Sequence, residues 1–192
     1  VLLLGLAAPA TATPRPDRTL VNARFGERAE PTFSRDGHRL TALTRLSVRT
    51  TGDSPRARAA HFVKTHRELW SLDANDAVDS VEAVDVKALP RLRREGSEAT
   101  RAQSLPSQVV RLRQTHRGLP VEGRDVVVTL DDADRAIAVR SDLGPLIVPV
   151  PARELSAEEA LAATYKTFAI SAHGKAEKVI IANGSAGRIA WR

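Results

Sequence analysis

Few residues in this chain have the type and spacing for chemistry. Five histidines are present: His38, His61, His66, His116 and His173. Metal-binding histidine pairs on a helix sit three or four residues apart, on one face. His61 and His66 are five apart, so they turn away from each other. His66 falls among apolar positions, where a packed, hydrogen-bonded histidine is the expectation. No histidine is followed by glutamate, so the H-E-x-x-H zinc helix does not occur. Asp131, Asp132 and Asp134 look like the start of a calcium loop, but the required glycine and distal glutamate are missing. A turn is the simpler expectation. The sequence has no cysteine, hence no disulfide, thiolate site or cysteine nucleophile. It also lacks the phosphate-cradling and nucleophile-elbow patterns. No catalytic, cofactor-binding or metal residue is assigned.

What the chain does carry is positive charge. The net charge is +6 and the sequence pI is near 10.4. From Lys87 to Arg117 stand eight bases (Lys87, Arg91, Arg93, Arg94, Arg101, Arg111, Arg113, Arg117) against two acids, Glu95 and Glu98. That local surplus equals the excess of the whole chain. Such a stripe suits an acidic partner, a nucleic acid or an anionic surface, and equally a solvated loop. No aromatic residue is interleaved with Arg91 to Arg113, as single-strand nucleic-acid platforms require, so no nucleic-acid partner is expected.

These residues need elements to hold them. Hydrophobic residues make up 42% of the 192, which is enough for one substantial domain or two small lobes. Aromatics are only 4%, so Val, Leu, Ile and Ala must build the core. The first residues, VLLLGLAAPATATP, give a short apolar run and an Ala10-Thr11-Ala12 cleavage pattern. Residues 1–12 are therefore expected to be the end of a signal peptide, and the protein to be secreted or periplasmic. No methionine occurs, which fits a sequence starting inside a longer precursor. Residues 13–30 are expected to form an extended leader.

Asp36-Gly37 predicts a hairpin turn. Ser54 and Pro55 open a helix whose Ala59, Phe62, Val63, His66, Leu69 and Trp70 recur on one face. SVEAVDVKAL reads as a strand, and the arginine-rich stretch up to Ser107 as an exposed loop. VVRLRQ, DVVVTL, AIAVRSDL and PLIVPV read as four strands, with Asp131–Arg135 as a hairpin turn. On VVRLRQ, Val110 and Leu112 are expected to face the core, with Arg111 and Arg113 together on the other side. Ser156 and Glu159 form a capping box ahead of a second helix. A final hairpin turns at Asn183-Gly184, where the Asn183-Gly184-Ser185 sequon is read as a turn. The class is α+β: antiparallel sheets with helices packed on one face.

The central segment resembles the fungalysin/thermolysin-type propeptides of secreted zinc metallopeptidases. The likeness rests on Val110-Arg111-Leu112-Arg113-Gln114 followed by Gly118-Leu119-Pro120-Val121-Glu122-Gly123. Weaker support comes from Ala59 to Leu72, Leu143-Gly144-Pro145, Ser156 to Ala160, and Ile189-Ala190-Trp191-Arg192. His116 stands where that family often has an aromatic, and the run Arg91 to Arg101 is an insert. The resemblance implies two cystatin-like/PepSY-like lobes: a propeptide lobe over 31–150 and a PepSY-like lobe over 151–192. It implies a propeptide that helps a downstream peptidase domain fold and then covers its cleft. That mature domain would be the partner, holding zinc and, as an option, calcium, with no cofactor in this region and no membrane span. Arg111, Arg113, Gln114, Gly118, Pro120 and Gly123 are the candidate scaffold and contact residues. The alternatives are a stand-alone exported PepSY-type inhibitor or binding module, and an anion-binding surface module.

Overall fold

A computed structural model describes residues 16–85, 106–149, 153–168 and 176–192. The signal-like start, residues 90–105 of the stretch expected to loop, and His173 lie outside these described residues, while Pro106 and Ser107 at that stretch's end belong to a strand. In chain order the elements are α1 (Arg18–Phe25), β1 (Glu30–Phe33), β2 (Leu40–Thr44), β3 (Val48–Arg49), α2 (Pro55–Thr65) and a 3-10 turn (Arg67–Trp70). Then come β4 (Asp76–Asp85), β5 (Pro106–His116), β6 (Leu119–Asp131), β7 (Arg135–Ser141), α3 (Ala157–Phe168), β8 (Lys178–Asn183) and β9 (Ala186–Trp191). The main path of the sheet runs β1-β2-β7-β6-β5-β4, antiparallel throughout. The α+β class holds.

Local chemistry explains most element ends. The Ser54 side chain accepts from the Ala57 N–H, with Pro55 in the first turn. Glu159 accepts from the Ser156 N–H at 2.8 Å while Ser156 Oγ accepts from the Glu159 N–H at 3.1 Å, the reciprocal capping box. At the β6–β7 turn, Asp131 Oδ1 accepts from the N–H groups of Ala133 and Arg135. The three aspartates there make a turn, as the spacing implies. The Asp36-Gly37 and Asn183-Gly184 hairpins form as well.

The core follows from strand alternation. Val110 and Leu112 of β5, and Val126, Val128 and Leu130 of β6, are fully buried on one face. Against that face pack Ala59, Phe62 and Val63 of α2, with Leu69 and Trp70 behind them. A second, smaller cluster gathers Val121, Leu146 and Ile180.

Two expectations need correction. Within the expected extended leader, Arg18–Phe25 is a helix, capped by Asp17, which accepts from the Leu20 N–H at 2.7 Å. Its Val21 is fully buried, and Phe25 stacks on Phe62 with centroids 6.2 Å apart. Tertiary burial outweighs a weak local pattern here. The described part of the run PLIVPV, residues 145–149, is also no strand. It makes a single bridge, Ile147 to Ala186, and Ile147 stays 71% exposed. Its prolines lack the N–H that a ladder needs.

Candidate functional site

The stretch from Gln108 to Gly123 becomes the β5–β6 hairpin. The chain reverses at Arg117-Gly118, with φ of 51° and 78°, between the paired residues His116 and Leu119. Positive φ at both central residues is the I′ pattern, whose twist matches that of two-residue hairpins. Thr115 still pairs with Pro120, but the next pair on the far side is Arg113 with Asp125. Gln114 therefore faces four residues of β6, Val121 to Arg124. In that bulge Gly123 has φ of 72°. The bulge lets one strand serve two partners. Val121 and Glu122 pair in parallel with Ile180 and Ile181 of β8, while Val126 to Leu130 sit between β5 and β7.

Gln114 occupies the gap that the bulge leaves. It is fully buried, on the same face as Val110 and Leu112. Its Nε2 donates to Asp76 Oδ1 at 3.1 Å and to the Gly144 carbonyl at 3.0 Å, and its Oε1 accepts from the Gly144 N–H at 3.4 Å. His116 Nδ1 donates to the same Asp76 Oδ1 at 2.9 Å. Asp76 Oδ2 accepts from the Asp73 N–H at 3.0 Å. Asp76, Gln114 and His116 are all buried, so this network is a satisfied polar core. Asp73, Asp76 and His116 offer possible ligand atoms within 4.8 Å of one another. The oxygens of Asp76 and the Nδ1 of His116 are already engaged, so the chemistry of the set is hydrogen bonding.

Arg111 and Arg113 do share the face away from the core, as strand alternation requires. They are not free cations. Arg111 Nε donates to Asp125 Oδ2 at 3.0 Å, with its Nη2 on the same oxygen, and Arg113 Nε donates to Oδ1 at 3.0 Å. One carboxylate thus takes both arginines, one directly opposite and one on the diagonal. Burial pulls the Asp125 carboxyl upward, but the two arginines outweigh it and hold it below the usual carboxylate range. Asp125 therefore offsets one of the two positive charges of the outward arginine surface expected from the sequence.

The remaining candidates sort by place. Gly118 and Gly123 occupy positive-φ positions, and Pro120 sits beside the turn on β6. His66 caps the end of α2 and packs against Phe25 and Phe62, each centroid 4.9 Å away. Its Nδ1 is buried without a partner, so it is packed but not hydrogen-bonded as expected. Burial holds its pKa below the ordinary imidazole value. Lys87, Arg91, Arg93, Arg94 and Arg101 of the basic stripe lie outside the described residues. Asp76 and Asp125, the two acids that organise the site, escaped the sequence reading. Their only signal there is an acid near a partner strand, which is worthless until the register is known.

No helix among the described residues is long and apolar enough to cross a membrane. No curated protein and no solved structure matches the chain. A family model does match: the Fungalysin/Thermolysin Propeptide Motif, over residues 107–143. That segment spans β5 from its second residue, the hairpin, the bulge, β6, β7 and Leu143, together with every residue of the Arg111–Arg113–Asp125 cluster. The resemblance seen in Val110 to Gly123 is thus shown on this segment, and residues 107–143 carry the non-catalytic propeptide motif of fungalysin- and thermolysin-type peptidases.

Proposed function

We propose that this chain is the propeptide of a secreted thermolysin-like zinc metallopeptidase, acting as an intramolecular chaperone and as a cover for the active-site cleft. The observation that carries the reading is the motif match on residues 107–143, which falls on the central hairpin of the sheet. A rigid platform that binds native-like peptidase surface lowers the late folding barrier and hides the cleft through the same contacts. In this reading residues 151–192 form a PepSY-like lobe, and zinc belongs to the peptidase domain. Gln114 acts as scaffold, since its hydrogen bonds are made inside the fold, and Gly118 and Gly123 act as scaffold through the positive φ that the turn and bulge require. Arg111 and Arg113 reach a partner only in competition with Asp125.

The test is refolding in trans. Denatured mature peptidase of the same precursor is diluted into buffer with and without this chain. Recovery of activity only with the chain, after its proteolytic removal, supports the chaperone role. Inhibition of already folded peptidase at stoichiometric ratios supports the cover. Recovery that is identical with and without the chain, and no inhibition, overturns the reading. Inhibition without any folding effect points to the stand-alone inhibitor instead.

A further inference from the structure

Directly after the Gly123 bulge, β6 buries an arginine that has no carboxylate. Arg124 is only 6% exposed. Its Nη1 donates to the Asp142 carbonyl at 3.0 Å and its Nη2 to the Gly184 carbonyl. Carbonyls satisfy N–H groups but leave the guanidinium charge whole, and arginine does not shed it in proteins. Among the described residues Arg124 forms no salt bridge.

A second guanidinium side chain stands beside it. A Cβ placed on Gly144 would lie 2.7 Å from Arg124 Nη1 and 3.2 Å from Arg39 Cδ, so both arginines crowd the bare α-carbon of Gly144. Arg39 is half-buried, and it too forms no salt bridge among the described residues. Burial first, and the Arg39 charge second, hold the Arg124 pKa below the usual guanidinium range, with the charges of Asp142 and Asp76 acting the other way.

Both arginines line a cavity of about 250 Å³ that His38, Pro145 and the Gly184-Ser185 turn complete. Clefts for drug-sized ligands start at about 300 Å³, so this one suits a small group. Asp36 also reaches the wall, but its carboxylate already accepts from Ser34 Oγ at 2.5 Å and from the His38 N–H at 3.1 Å. A buried charge is costly unless paired, and a second like charge beside it adds to the cost. An anion in the cavity relieves both.

We propose that Arg39 and Arg124 form a two-guanidinium pocket for a small oxyanion, a carboxylate or a phosphate-type group. Planar guanidinium forks match such oxygens geometrically as well as in charge. The pocket does not depend on the propeptide reading, because its arginines and its wall all belong to this chain. The oxyanion arrives either free or on the acidic side chain of a bound polypeptide.

The experiment follows thermal unfolding of the full chain against inorganic phosphate at fixed ionic strength, with chloride making up the balance. A saturable rise in Tm is expected, because a ligand that binds only the folded state stabilises it by mass action. Arg39→Gln keeps the fold, since Arg39 is tied to Ser34 through its backbone N–H and carbonyl, which glutamine also supplies, and it should abolish the rise. Arg188→Gln, at an exposed position of β9, should retain it. A short peptide with one central Asp and its Asn counterpart then separate the sources. Competition by the Asp peptide alone assigns a carboxylate side chain as the occupant, and no competition by either assigns a free anion. No saturable rise in the wild type, or an equal rise in Arg39→Gln, overturns the proposal.

Discussion

Replacing Gly123 by alanine isolates the cost of the bulge from the cost of packing. Nothing lies within 4 Å of a Cβ built at this position, so no clash accompanies the methyl group. What remains is torsional. An L-residue in the left-handed region, here at φ of 72°, costs roughly 1–2 kcal/mol. Restricting the unfolded chain returns less than that, about 0.4–1 kcal/mol. The net loss is about 1 kcal/mol, which lowers Tm by about 2–4 °C in a domain of this size. Asparagine tolerates the left-handed region, so Gly123→Asn should lose less than half as much. The assay is reversible thermal or urea unfolding of glycine, asparagine and alanine variants, followed by circular dichroism. An unchanged midpoint for the alanine variant would refute the reasoning. So would equal losses for Asn and Ala, since burial rather than torsion would then set the cost.

Other expectations are equally direct. Arg117→Asn places Asn-Gly at the I′ hairpin and should raise the unfolding midpoint, by urea titration. Phe62→Ala removes a side chain that is 2% exposed at the centre of the core, and should cost about 3–5 kcal/mol in the same titration. The folded-state pKa of Asp125 lies below its ordinary 3.8, so its ion pairs stabilise the fold above that value and fade as pH falls through the lowered one. Asp125→Asn should therefore flatten the acid limb of a stability–pH curve. The folded-state pKa of His66 lies below its ordinary 6.5; as a base held neutral, it favours folding above that value and opposes it as pH falls. His66→Leu should keep or raise stability and remove that slope, as measured by Tm between neutral and mildly acidic buffers.

The frame was legible where its cause is local. Ser54-Pro55, Ser156 with Glu159, Asp36-Gly37 and Asn183-Gly184 each fix an element end through neighbours in sequence. The burial of Val110 and Leu112 follows from alternation alone. The site was less legible because its partners are set by register. A regular hairpin through Arg117-Gly118 would set Arg113 opposite Glu122. The bulge at Val121 to Arg124 moves Asp125 into that place, and an alternation pattern cannot show a three-residue insertion. The partner of Gln114 was hidden for the same reason: its acceptor, Asp76, comes from β4, 38 residues earlier. Helix α1 was missed because what holds it, Phe25 against Phe62, is tertiary.

The parallel pairing of β6 with β8 has a consequence for how the molecule opens. Among the described residues the backbone pairing of the β8–β9 hairpin with β6 is short, Val121 and Glu122 alone, supplemented by Arg124 on the Gly184 carbonyl and Glu122 on Arg192, and the apolar cluster beneath is small, built on Val121, Leu146 and Ile180. The amides of β8 and β9 should therefore exchange with solvent deuterium through sub-global opening, well below the free energy of global unfolding. Those of β5 to β7, locked over the α2 core, should wait for the whole domain. The hairpin is then expected to open as its own cooperative unit while the motif-bearing sheet stays folded.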